Sequence, residues 1–336
     1  MDIGTHALAS LALSRAILPR APRILWAWTI SAGIFADSDQ LSALVSPSAY
    51  LAWHRTYTHS VLASLIIAVV FAAVYRVWSP AELRQRLPVR AMFVAVLLVQ
   101  WLHAAMDAAQ WQDVEIFWPF SAARIAADWF PTVDPWIIAI LVAAVALPEL
   151  FHLVSSEIGA KDKRPRGFVG AIVGLVFVVL YIGVRGELHG TAIAQFRNRV
   201  YVGENPRRVA AFAELTSLVS WRGIADTESA LHEVTVNILA SRPASFDPGV
   251  NLFKPEPSPL LQAAQATESA KRFLRIARFP KATVVKTEAG TEVQIRDLRY
   301  AAADEQNHEP MVTVDFDLSG KLQSEAISWA SRETPR

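Results

Sequence analysis

Five stretches in the first 185 residues approach or meet the length of a bilayer-spanning helix: Ile24 to Leu44, Val61 to Trp78, Ala91 to Ala109, Pro135 to Val154 and Phe168 to Val184. A hydrocarbon core about 30 Å thick needs roughly 20 apolar residues in a helix, with ~17 as the lower bound. A sixth stretch, Ile3 to Leu18, is shorter and reads as a tilted or partly inserted helix. The competing reading is a large soluble helical protein, because Asp37, Asp39, His103 and Asp107 interrupt two of the stretches.

The connecting segments separate these readings. Arg15, Arg20 and Arg23 lie between the first and second stretches, Arg76, Arg84, Arg86 and Arg90 between the third and fourth, and Lys161, Lys163, Arg164 and Arg166 between the fifth and sixth. The intervening connections, 45 to 60 and 111 to 134, carry only Arg55 and Arg124, and the second also holds Asp113, Glu115, Asp128 and Asp134. The positive-inside bias then places the three basic connections in the cytoplasm. With six crossings, the N-terminus, the other two connections and everything after Val184 face outward. The opening MDIGTH lacks the basic region of a cleaved signal peptide and reads as retained.

From Arg185 charge rises and the apolar runs shorten. GELHGTAIAQFRNRVY reads as a helix leaving the membrane, and Pro243 to Pro259 as a loop. ATVVKTEAGTEVQIRDLRY and MVTVDFDLSGKLQSEAISW alternate apolar and polar residues as half-buried strands do, each broken by a turn containing glycine. The expected architecture is an all-α polytopic membrane bundle of five to six transmembrane helices over 1–185, followed by a soluble α+β domain over 186–336.

Net charge is +1, so no global field argues for nucleic acid, and the absence of cysteine excludes disulfides and thiolate metal sites. Any transition metal must use histidine and carboxylate ligands. His6, Asp37, Asp39, His54, His59, His103 and Asp107 all fall at one depth on the outer side of the expected topology, an agreement the count of basic residues did not impose. His103 and Asp107 are four apart and project from one helical face, able to share a metal. Asp37 and Asp39, two apart, cannot share a face, so one reads as a ligand and the other as its partner or a helix-end residue. Ionisable groups within a membrane cost several kcal/mol and face a cavity or a partner. A divalent cation offsets that cost, and imidazole with carboxylate suits zinc better than manganese or iron. Arg55 is placed to hold a phosphate or carboxylate by a bidentate contact. Thr58 and Ser60 read as helix caps.

MDIGTH, DSD at 37 to 39, HRTYTHS at 54 to 60, WLHAAMD at 101 to 107 and FWPFSAARIAADWFPTVDP at 117 to 135 resemble the LexA-regulated membrane-bound metal-dependent hydrolases, the YdjM-like group. The resemblance covers residues 1 to 185. It implies an integral membrane protein assigned as a metal-dependent hydrolase, and leaves the substrate open. The order of ligands is more weakly similar to the zinc-dependent phospholipase C and P1 nuclease group. Carried over, Asp107 bridges two ions, His103 with one Asp and one loop His binds the first zinc, and His6 helps bind a second. A later His and Glu set for a third zinc is missing, since His152 falls near the cytoplasmic end of its stretch. Trp118, Pro119, Phe120, Asp128 and Asp134 are expected to shape the rim, with Trp118 contacting substrate and Asp128 a candidate late ligand.

These readings converge on a membrane hydrolase carrying one or two divalent ions, zinc favoured, that cleaves an ester or phosphoester of a membrane lipid or lipid-linked molecule at the outer leaflet. In that scheme the spare carboxylate of Asp37 and Asp39 is the general base, and Arg55 holds developing charge. The rival expectations are a membrane-anchored binding or signalling protein with a structural metal site, and a metal- or proton-coupled transporter. The sequence carries no signal for oligomeric state.

Overall fold

The computed structural model describes residues 1–157, 165, 167–240, 249–302 and 309–330. The basic residues Lys161, Lys163, Arg164 and Arg166 lie outside the described residues, as do residues 243–248 of the expected loop from Pro243 to Pro259; its described part is not all loop, because Val250–Phe253 pairs as a strand. The chain forms two compact units, one made of Met1–Asp39, His54–Gly190 and Phe212–Val219, the other of Gln40–Trp53, Thr191–Ala211 and Ser220–Arg336.

In the first unit, α1 (Ile3–Ile17) and α2 (Arg23–Phe35) form a short helical pair, and α4 (Val61–Trp78), a small α5 (Ala81–Arg86), α6 (Val89–Ala108), α7 (Pro135–Glu157) and α8 (Phe168–Arg197) follow; α3 (Pro47–Trp53) belongs to the other unit. Four of these helices, α4, α6, α7 and α8, are long and apolar enough to cross a membrane. Their outward faces carry exposed aliphatic and aromatic side chains such as Ile66, Val69, Val70, Val176, Phe177 and Leu180, as lipid contact requires.

The stretch Ile24 to Leu44 is not one spanning helix. The α-helix stops at Phe35 and a 3-10 run, Ala36–Leu44, takes over. Asp37, Ser38, Asp39, Gln40 and Ser42 fall there, and short polar side chains compete for backbone groups and disfavour a continued α-helix. The first stretch likewise yields a helix of 15 residues, capped by Asp2, whose carboxylate accepts from Thr5 N–H.

Helix α6 is the axis of this unit. Met92, Val96 and Val99 bury against Leu25 and Ala32 of α2 and Ile67, Ala68 and Tyr75 of α4. Further along, Met106 and Ala109 bury among Ala9 and Ala12 of α1, Ile137 and Leu141 of α7, and Val178 of α8. Small residues permit close approach: a Cβ on Gly33 would lie 2.0 Å from Ser10 Oγ, so α1 and α2 meet there only because no side chain intervenes. One turn away, Ser14 Oγ and Thr29 Oγ1 hydrogen-bond across the pair at 2.6 Å.

In the second unit, strands β1 (Arg208–Ala213), β2 (Ser220–Asp226), β3 (Ala230–Asn237) and β4 (Val250–Phe253) form one sheet in that order. After helices α9 (Pro259–Gln265) and α10 (Glu268–Leu274), strands β5 (Pro280–Thr287), β6 (Gly290–Asp297), β7 (Glu309–Asp317) and β8 (Leu322–Ala330) form an antiparallel meander. Along β7 every second residue is buried. The face so formed, Val293, Ile295, Val312, Val314 and Phe316, packs on Leu261, Ala264, Ala270 and Phe273 of the two helices. This is the sandwich that period-two alternation predicts. Leu51 of α3 joins the same core, and Tyr50 meets Trp329 edge-on at 5.3 Å.

Candidate metal centre

The buried stripe of α6 runs Met92, Val96, Val99, His103, Met106 and Asp107, a 3.6-residue period that carries two ionisable side chains into the packed end of the bundle. His103 is 1% exposed and Asp107 is fully buried. His6 arrives from α1, stacked on His103 with ring centroids 3.7 Å apart. Asp37 arrives from the 3-10 run and His59 from the loop before α4, both buried.

His6, Asp37, His103 and Asp107 each offer a ligand atom, and those atoms all lie within 4.8 Å of one another. His59 Nε2 is close to the same place, 3.1 Å from His103 Nε2, 3.0 Å from Asp107 Oδ2 and 3.8 Å from Asp37 Oδ1. His103 Nε2 stands 3.1 Å from Asp107 Oδ2 and 3.8 Å from Asp37 Oδ1. Two ligands each about 2.1 Å from a tetrahedral ion sit about 3.4 Å apart, so these separations are those of a metal's coordination shell.

The other ring nitrogens are committed. His103 Nδ1 is 2.8 Å from the Gly33 carbonyl, which can only accept, so Nδ1 carries the proton. His59 Nδ1 is 3.1 Å from Asp39 Oδ2 and takes the same role toward a carboxylate. In both neutral rings the Nε2 lone pair therefore points inward, the arrangement by which outer partners fix a ligand's tautomer. Two lone pairs 3.1 Å apart accept either one shared proton or a cation. His6 Nδ1 is buried with no hydrogen-bond partner, a second sign that this cluster is able to hold an ion. Burial opposes a charge on His59, but hydrogen bonding to Asp107, Asp37 and Asp39 outweighs it and lifts its pKa to about 10. The carboxylates around His59 thus favour positive charge at the centre of the cluster.

Asp39 does not join this cluster. Its carboxylate accepts from Arg55 N–H at 2.8 Å and Thr58 Oγ1 at 2.9 Å, and meets His54 Nδ1 at 3.0 Å as well as His59 Nδ1. It is the hub on which HRTYTHS folds, and Arg55 takes a left-handed backbone, φ 60°, to make the turn. His54 points to Asp39 rather than to the other imidazoles. Arg55 is 3% exposed, its guanidinium shared between Asp107 Oδ1 at 3.2 Å and the Gln112 carbonyl at 2.8 Å, and it is not displayed to an open cleft for a bidentate contact. Ser60 caps α4 through Ala63 N–H as expected, whereas Thr58 is no cap but a donor to Asp39. Trp118 lies edge-on to Tyr57 at 4.9 Å. Asp128 is buried with its backbone N–H on the Gln110 carbonyl, and Asp134 caps α7 through Ile137 N–H and accepts from Tyr181. Neither is in the clustered set.

Gln110 escaped the sequence reading: its Nε2 donates to Asp107 Oδ1 at 2.7 Å. Its position three residues beyond Asp107 was the available signal. The Met1 amino group meets the same oxygen, and His6 Nε2 lies 3.2 Å from it, so Asp107 Oδ1 faces cationic and amide donors and His6 while Oδ2 faces His59 and His103.

Lipid-length helices closing over a buried set of imidazoles and carboxylates define an integral membrane protein with a centre able to hold a metal ion. The chain belongs to the YdjM inner membrane protein family, whose pattern matches residues 1–191, and residues 259–335 match the YfhP C-terminal alpha/beta plait domain. It is similar to YfhP of Bacillus subtilis (strain 168), a protein named as uncharacterized, at 22% identity over 349 residues, spanning 99% of this chain and 96% of that protein. No solved structure matches it.

Proposed function

We propose that the protein is a membrane-embedded metal-dependent hydrolase, with zinc the favoured ion, acting on an ester or phosphoester of a lipid or lipid-linked molecule at the outer face of the inner membrane. The observation that carries this reading is the pair of inward Nε2 atoms on His59 and His103, locked by Asp39 and the Gly33 carbonyl and facing two carboxylates. His6, Asp37, His103 and Asp107 would hold the ion, with His59 beside them. When bound, such an ion lowers the pKa of a water towards about 7 and polarises the scissile oxygen. Asp39 is occupied in orienting His59, so Asp37 is the carboxylate left to ligate or to take a proton. Arg55 balances the charge of Asp107 and holds it in place. The end of α4 that carries Arg76 lies opposite the end beside His59, which favours an outward site under the positive-inside bias. The C-terminal domain follows α8 on that same outer side in this topology.

The test is metal analysis of purified protein together with turnover of a vesicle-borne phosphodiester. Wild type should carry metal, and His103→Ala and Asp107→Ala should lose both metal and turnover. Wild-type protein without metal, or full turnover in both variants, removes the proposal. The near-complete burial of every ligand favours a second reading, a closed structural metal site in a binding or signalling protein. That version retains the metal dependence and shows no turnover.

A further inference from the structure

The connection between α6 and α7 contains a second feature that the metal centre does not use. Backbone hydrogen bonds from Phe120 and Ser121 to the Phe117 carbonyl close a tight turn over Phe117–Trp118–Pro119–Phe120. Phe117 is 51% exposed and Phe120 86% exposed, while Tyr57 beside them is 40% exposed and stacks edge-on against Trp118. Aromatic side chains displayed in this way to water are unfavourable, and a contiguous apolar patch marks a binding or membrane surface.

The place of this turn in the bundle selects its partner. The Ile116 carbonyl accepts from Val61 N–H at 2.9 Å, so the turn springs from the first residue of α4, whose outward face is the lipid-facing surface described above. From Val61, α4 rises through 18 residues to Trp78, itself 78% exposed. At about 1.5 Å per residue that separation is about 26 Å, close to the ~30 Å of a hydrocarbon core. Trp78 marks one boundary and the Phe117–Phe120 turn the other, the positions where aromatic belts lie. Arg124, the cation of this connection, is neutralised by Glu115 at 2.7 Å and Asp113 at 3.3 Å, so the turn offers no free charge to an anionic headgroup.

We infer that the Phe117–Phe120 turn, with Tyr57, is an interfacial insertion seated in the bilayer at the junction of glycerol and upper acyl chains, held there by apolar contact rather than by charge. It touches the loop that closes the metal centre, through Glu115 N–H on the Arg55 carbonyl at 2.9 Å. A lipid packed against the turn therefore lies beside HRTYTHS. The insertion depends on the membrane reading and not on whether the centre is catalytic.

The absence of native cysteine allows a direct test on the full chain. Single variants Phe117→Cys and Phe120→Cys carry a nitroxide and are reconstituted in phosphatidylcholine vesicles. Val69→Cys on the outward face of α4 and Ser319→Cys on the exposed β7–β8 turn serve as the lipid and water references. Both test labels should collide severalfold more with oxygen than with an aqueous nickel chelate, as at Val69, and the ratio should be unchanged by high salt or added anionic lipid. Nickel accessibility matching Ser319 at both positions overturns the inference, and loss of protection at high salt overturns its apolar basis. Neither outcome touches metal content, so this inference and the hydrolase proposal fail separately.

Discussion

Each unit of the protein buries a cluster of charges, and the two clusters are built on opposite principles. In the C-terminal unit the buried charges meet complements: Asp297 accepts from Arg278 N–H, Phe279 N–H, Arg299 N–H and Arg299 Nε, and Arg222 donates to Glu233 and to the Leu298 and Arg299 carbonyls. In the helical unit, with both rings neutral, acceptor meets acceptor: His59 Nε2 and His103 Nε2 stand 3.1 Å apart, and Asp107 Oδ2 lies 3.0 and 3.1 Å from them. The first pattern is complete as a polypeptide and serves the fold. The second gathers ligand atoms that could hold an ion, an arrangement that suits a ligand site better than a structural network.

The largest expected effect separates the two clusters by substitution. Asp107→Ala should abolish metal in elemental analysis, whereas Asp297→Ala should leave metal content intact and cost about 3 to 5 kcal/mol in denaturant unfolding, the usual result of stranding one partner of a buried ion pair. Metal loss in both variants would erase the distinction. Next in size is removal of the ion. Chelation should lower hydrogen-exchange protection in α1 and α6 by about 2.7 kcal/mol if the free metal had stood at about a hundredfold over its dissociation constant. Strands β5–β8 should not respond, and equal loss there would show that the metal stabilises both units.

A finer cut falls within the site. Asp39→Asn keeps the shape of the hub but removes the charge facing His59 Nδ1, and should weaken metal binding by about 10- to 100-fold in titration without abolishing it. An effect as large as that of Asp107→Ala would make Asp39 a ligand. The smallest effect belongs to Ser60→Ala, which removes the cap of α4: about 1 kcal/mol in thermal or denaturant stability, with metal affinity unchanged.

Particular residues show where a linear reading succeeds. His103 and Asp107 were legible as one face because α6 is a regular helix, and their neighbours Val99 and Met106 confirm the stripe. Strands β6 and β7, between Gly290 and Gly320, were legible because one buried face imposes period two. The stretch from Ile24 misled, since hydropathy averaged over a window hides the local competition of Asp37, Ser38 and Asp39 for backbone groups. Strands β1 to β4 were not individually anticipated: β4 is only 4 residues long, and β2 is buried over most of its length with no alternation to betray it.

What the sequence determined by itself is the location of the apolar mass and the types of ligand available: stretches of membrane length before residue 186, alternating segments beyond it, and imidazoles and carboxylates without thiols. These are local properties, set by the period of burial and by composition. Only the tertiary structure decided that Asp37 turns to the imidazoles while Asp39 turns to the loop, that Arg55 folds inward onto Asp107, and that the Gly33 carbonyl fixes the tautomer of His103. Those choices depend on atoms 16 to 70 residues apart meeting at 2.8 to 3.8 Å, and no local pattern encodes which of several equivalent acceptors a donor will find.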